Sequence, residues 1–244
     1  MNAVLVGCIV LAASCRGAAA DPILWPCQSG DFGYEPGVER TIGNALGAEP
    51  ELSVIIYPSF VPEWGIALVR DGEEPSVVLT QFTSSYWASG WVRIDEQDAT
   101  NSTPRHRPVV TKWSNEQDQL PERWAWDADV AHASVSMART PVSAALAARL
   151  QEVWDAAMAG IGPRDMTSMG VDGVSYQFQV GVHSCGATWS PRKEAIPGKL
   201  VSLVEQLRLL VQSPAKPDAS LREKNALAAA WEFLKAFDGR AQAP

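Results

Sequence analysis

Histidine is scarce in this chain: His106, His132 and His183 are the three present, and each stands alone. Isolated imidazoles lend little to acid–base or metal chemistry, which needs several groups gathered at one place. No Gly-x-Ser-x-Gly elbow occurs, so a serine hydrolase has no support. A glycine-rich phosphate loop and paired C-x-x-C spacing are missing too, which leaves nucleotide and zinc-ribbon sites without a signature. No repeat recurs at a fixed period. Positive charge is also short, with 20 Lys and Arg against 28 Asp and Glu and a net charge of −8. The densest basic cluster is Arg105-His106-Arg107, and no basic stripe accompanies it. Such a surface repels phosphate backbones, so nucleic acid is not an expected partner.

What is present begins with an apolar leader. From Ala3 to Ser14 the residues are apolar or small, and Ala18-Ala19-Ala20 precedes Asp21. An apolar core followed by an A-x-A site is the layout of a secretory signal peptide over 1–20. It is too short to cross a bilayer, which takes about 20 apolar residues. The leader lacks a basic start, and Arg16 lies after the apolar run. Leu11-Ala12-Ala13-Ser14-Cys15 offers a second reading, a lipoprotein leader ending before a lipidated Cys15. A single acyl chain would then give only marginal membrane attachment. Either way the expectation is an exported protein, periplasmic or secreted, or else lipid-anchored, with no transmembrane span. Loss of residues 1–20 takes only Arg16 among the charged residues, leaving 19 basic against 28 acidic and a net charge of −9.

Export decides how the cysteines are read. Of the four, Cys8 and Cys15 belong to the leader, and Cys27 and Cys185 remain. In an oxidising compartment an isolated pair is most simply a disulfide. Closing so long a loop would stabilise by about 5 kcal/mol in the chain-entropy model. It would also tie Asp21-Pro22-Ile23-Leu24-Trp25-Pro26 onto a strand or turn near Cys185. A sharper alternative makes Cys185 a nucleophile and His183 its base, since a two-residue offset on a strand shares a face. No recognisable signature surrounds the pair. Zinc at Cys27, His183 and Cys185 lacks a fourth ligand.

Along the chain, residues 21–51 read as an irregular segment with one short helix near Val38–Leu46. Ser53–Tyr57, Trp64–Arg70 and Ser76–Phe82 carry strand signals. Asp71-Gly72 suits a hairpin between the last two, and Pro58 and Pro62 call for a wider turn between the first two. Residues 83–126 read as long loops bearing Trp87, Trp91, Trp113, Trp124 and Trp126, with a strand at Val109–Trp113. The polar stretches Ile94–Arg107 and Ser114–Arg123 read as loop. Ala133–Arg139 alternates as a strand, after which Thr140 would cap a helix with Pro141 at its first position. That helix carries Leu146, Leu150, Val153, Trp154 and Ala157 on one stripe. Val174–Val182 is a half-buried strand, with Ala187–Ser190 pairing back onto it. A helix from Pro197 buries Leu200, Leu203, Val204, Leu207 and Val211. Ser220 and Glu223 would form a capping box for a last helix that buries Leu227, Trp231 and Leu234. Strands in runs, with helices between and after them, indicate an α+β domain over 52–244. Its expected form is an antiparallel sheet of about five to seven strands with three main helices packed on it.

Two groups invite a functional test. The five loop tryptophans could stack a ligand or anchor a partner, or simply cover the meander as core. Asp127, Asp129 and His132 offer two carboxylates and an imidazole, yet neither a strand nor a helix brings all three to one face. Glu63 could be perturbed if buried, as could any carboxylate at a strand start. No cofactor, metal or catalytic residue is expected. The function expected is that of a non-catalytic binding or interaction protein, an accessory or immunity protein for instance. Its partner would be another envelope protein or a small ligand. The alternative is an exported hydrolase or thiol enzyme using His183 and Cys185, or Asp127, Asp129 and His132.

Overall fold

Leu52-Ser-Val-Ile-Ile-Tyr is apolar at nearly every position, and a strand of that kind must be covered on both faces. The computed structural model shows such a strand. It describes residues 22–27, 34–46, 50–72, 74–94, 109–112, 122–126, 131, 133–163, 173–181, 184–212 and 216–241. β2 (Leu52–Pro58), β3 (Trp64–Asp71) and β4 (Glu74–Phe82) form the expected antiparallel meander. Gly72, at φ 68°, takes the left-handed conformation that the tight turn between β3 and β4 requires. β8 (Val135–Pro141) extends the sheet beyond β4, while β9 (Val174–Val180) and β10 (Ser184–Trp189) extend it on the other side of β2. With β1 (Trp25–Pro26) the order is β1-β10-β9-β2-β3-β4-β8, and every neighbouring pair is antiparallel. The fold is α+β, as expected.

Helices lie on both faces of this sheet. α3 (Ala144–Ala159), α4 (Ile196–Gln212) and α5 (Lys216–Ala241) share one core with Val54, Ile56, Ile66, Leu79 and Phe178. α1 (Tyr34–Leu46) covers the opposite face, packing Val38, Ile42 and Leu46 against Ile55, Ala67 and Val78. The short helix read near Val38 thus starts four residues earlier and does structural work. Ile23 and Leu24, just before β1, are fully buried in the first core, where the backbone N–H of Ile23 donates to Gly160 O at 3.0 Å.

The structure differs from the sequence reading at several helix ends. Thr140 and Pro141 do not start α3; they end β8, opposite Val77 and Ser76. The cap is Ser143, extended at φ −66° and ψ 153°, whose Oγ accepts from Leu146 N. Proline is tolerated there because β8 is an edge strand, with one side of its backbone unpaired in the sheet. Ser220 does not cap α5 either. That helix already begins at Lys216, because Pro217 fits a first turn whose N–H groups lack helical partners anyway. Glu223 instead accepts from the backbone N–H of Ser143 at 3.0 Å and so links the start of α3 to the body of α5.

Trp231 is a further correction. α5 meets the core through Ala226, Ala230 and Phe233, all fully buried, and Leu227 and Leu234 pack at the margin. Small residues let α5 lie close to its neighbours, and that turns Trp231 outward, 54% exposed, under the Arg149 guanidinium at 3.6 Å. Trp154, by contrast, is fully buried as expected, donates Nε1–H to Ser53 O at 3.1 Å, and meets Phe178 edge-on.

A second, three-stranded sheet occupies part of the stretch read as loop. β5 (Trp91–Ile94), β7 (Glu122–Trp126) and β6 (Val109–Lys112) lie in the order β5-β7-β6. The strand at Val109 was legible. The other two fall where polar residues hide the alternation, at Arg93 in one and Glu122 and Arg123 in the other.

Candidate functional site

A disulfide decides what Cys185 can do. Cys27 and Cys185 are bonded, with their Cα atoms 5.5 Å apart. Trp25 and Pro26 pair with Ala187 and Gly186, and Cys27 N donates to Cys185 O at 3.4 Å. The N-terminal segment is therefore stitched to β10, as the cysteine arithmetic implied. Beside the bond lies a polar cluster: Gln177 Nε2 donates to Glu39 Oε1 at 2.8 Å and lies 3.5 Å from Cys185 Sγ. Tyr57 Oη donates to Gln177 Oε1 at 3.1 Å. With its sulfur in a disulfide, Cys185 has no thiol to act as nucleophile. His183 lies outside the described residues, as do Asp127, Asp129, His132, Trp113 and the leader with Cys15.

The tryptophans are partly assembled. Trp87 lies on α2 (Tyr86–Ser89) and meets Trp91 edge-to-face, with centroids 5.0 Å apart. Both are half-buried and pack against the core beneath α1. Across the small sheet Trp91 stands opposite Trp126, and Arg93 opposite Trp124. Strand alternation puts these four positions on one face of that sheet. The sequence reading named the tryptophans, and named Glu63 only as a carboxylate that could be perturbed if buried, not as the group that fixes the turn beneath them. Glu63, fully buried, accepts from the backbone N–H groups of Tyr86 at 2.8 Å and Trp87 at 3.0 Å, and Ser85 Oγ lies 3.4 Å away. A buried carboxylate thus holds the start of α2. Tyr86 beside it has its phenol pushed above the usual tyrosine range, first by burial and further by Glu63, with Arg40 opposing. A carboxylate between Pro62 and Trp64 was the one visible signal.

A second candidate lies elsewhere on the domain. A cleft of about 610 Å³ opens between the start of β9, the turn after β10, and the helices α4 and α5. Such a volume lies within the usual range for small-ligand sites, about 300–1,000 Å³. It is lined by Val174 and Tyr176 of β9, by Ser190 and Lys193 of the turn after β10, by Lys199, Ser202 and Glu205 of α4, and by Glu232 of α5. Ser190 sits at φ 37°, a left-handed conformation strained for a residue with a side chain. Two hydrogen bonds hold it there: its N–H donates to Val174 O at 2.9 Å, and its Oγ accepts from Val174 N at 2.8 Å. Gly198, in the first turn of α4, is obligatory for a different reason. A Cβ there would come within 1.9 Å of Arg192 O, so the turn that carries Lys193 can lie against the helix only over a glycine.

Tyr176 is nearly buried, and its phenol is pushed above the ordinary tyrosine range by burial first and by the Glu205 carboxylate second. It therefore remains a protonated donor throughout the neutral range. Glu205 lies 3.9 Å from Arg208, whose guanidinium stands over the Trp64 ring at 4.5 Å. The sequence reading missed this cleft. Lys199, Ser202 and Glu205 do recur at helical spacing, yet any amphipathic helix shows such a stripe to water.

Among the described residues, no group of three or more His, Cys, Asp and Glu side chains is placed to hold a metal ion, and no helix is long and apolar enough to cross a membrane. Comparison of the chain with protein-family models, with curated proteins and with solved structures finds no match.

Proposed function

We propose that this chain is an exported binding protein without catalytic activity, and that it holds a small ligand in the cleft between β9, α4 and α5. The observation that carries the reading is a cleft of ligand size whose lining combines apolar walls with hydroxyl, ammonium and carboxylate groups. The disulfide supports export, since such a bond persists in oxidising compartments. It also weighs against the thiol-enzyme alternative, because Cys185 is occupied. Ser202, exposed on the cleft wall, supplies the test. Low-molecular-weight fractions of envelope extract should raise the melting temperature of the wild-type protein and not that of Ser202→Trp, whose indole obstructs the cleft. Equal shifts in both proteins, or none in either, would remove the cleft as the site.

A second reading rests on the Trp positions sharing one face of the small sheet. An envelope partner protein would dock there, with the indoles as anchors. Acrylamide should then quench several indoles readily in the free protein and fewer once the partner is bound. Uniform protection in the free protein would return them to the core.

A further inference from the structure

We infer that the ligand of the cleft is a zwitterionic peptide of about three residues; this rests on the cleft being a binding site at all. The argument is one of charge and length. Lys193 and Lys199 balance Glu205 and Glu232, so the lining carries no net formal charge and offers a net anion or cation little advantage. The charges are nevertheless laid out in order along α4. Lys199 stands in its first turn, where the positive end of the helix dipole also favours a carboxylate. Glu205 stands six residues further on, a rise of about 9 Å.

An extended tripeptide spans at most about 10 Å, comparable with that rise between the two backbone positions. Its carboxylate would lie toward Lys193 and Lys199, and its ammonium toward Glu205. Neither lysine has an ion-pair partner among the described residues, so each ammonium is available to a ligand. Glu205 is held by Arg208 only at 3.9 Å, the outer limit of an ion pair, so its carboxylate can accept from an ammonium as well. Between the two ends, Val201 and Ala229 provide apolar contact for small side chains, and the Tyr176 phenol can donate to a peptide carbonyl. A single amino acid is too short to reach both ends, and a neutral sugar would leave both sets of charges unmatched.

The test is calorimetric titration of the full, oxidised chain with trialanine, N-acetyl-trialanine and trialanine amide. Trialanine should bind, and each capped form at least tenfold more weakly. Glu205→Gln should erase the discrimination against the N-acetyl form, and Lys199→Gln that against the amide, with circular dichroism confirming that both variants fold. Equal affinity for the three forms, or no binding of trialanine, overturns the inference. If glucose or inorganic phosphate raises the melting temperature and Ser202→Trp abolishes the rise, the cleft binds but its ligand is not a zwitterion. If neither these nor envelope extract shifts the melting temperature, the broader reading falls with it.

Discussion

The two faces of the seven-stranded sheet share one backbone and one register, yet they are built from different chemistry. On the face toward α3, α4 and α5, Val54, Ile66, Leu79 and Phe178 line up across four strands without a polar interruption. On the face toward α1, the neighbouring rows are mixed: Val78 and Ala67 lead to Ser53 and Gln179, and Thr80 and Gly65 lead to Ile55 and Gln177. One helix covers the apolar part, and the Glu39–Gln177–Tyr57 cluster and the disulfide occupy the rest. The difference teaches where stability and specificity reside. A continuous apolar face gains by area, about 25 cal/mol per Å² removed from water. The mixed face depends on particular hydrogen bonds and one covalent bond, each tied to a named partner.

The comparison can be broken most severely at Trp154. Trp154→Ala should lower stability by about 3–5 kcal/mol in urea denaturation, because it empties the centre of the helix face and loses the bond to Ser53 O. On the other face the largest effect should come from Cys27→Ser, about 2–4 kcal/mol, with one free thiol appearing on mass analysis. A loss below 1 kcal/mol would mean that the strand pairing of β1 holds the N-terminal segment without the bond. Glu63→Gln should follow, at about 1.5–3 kcal/mol, since a charged acceptor of two backbone N–H groups is weakened in a buried place. Its diagnostic readout is a change in tryptophan fluorescence, because α2 carries Trp87.

Alkali probes both faces together. Tyr176 and Tyr86 both titrate above 10.0, the ordinary tyrosine value, because burial disfavours the phenolate. The unfolded chain ionises first, so stability should hold up to about pH 10 and fall above it. Tyr176→Phe should flatten that fall, and an unchanged slope would show that Tyr176 is not a source of it. The smallest effect expected is at Arg149→Ala, about 0.5–1 kcal/mol, for loss of a cation–π contact on an exposed indole. A cost near that of Trp154→Ala would mean Trp231 belongs to the core after all.

Where the hydrophobic pattern was periodic, the sequence was enough. The meander, the stripes of α3 and α4 and the β9–β10 hairpin follow from alternation and helical spacing, because burial of one face leaves that trace in the chain. Helix starts were less legible. Thr140-Pro141 and Ser220 carry the right residue types for caps, but strand pairing at β8 and an earlier first turn at α5 outweighed them. Trp231 failed for a related reason: its spacing is helical, but the close approach at Ala226 and Ala230 fixed which side of α5 faces in. The cover that α1 gives to the second face of the sheet was not read from the sequence, where Ser53–Tyr57 figured only as a strand and the helix near Val38 as part of an irregular segment.

By itself, the sequence determined that this chain is an antiparallel α+β protein with Cys27 and Cys185 as its natural pair, because periodicity and cysteine count are properties of the chain alone. Only the tertiary structure decided that Glu63 would hold α2, that Trp231 would face water, and that residues from Val174 to Glu232 would enclose a cleft. Those outcomes depend on which surfaces meet at a distance, and no local pattern records them.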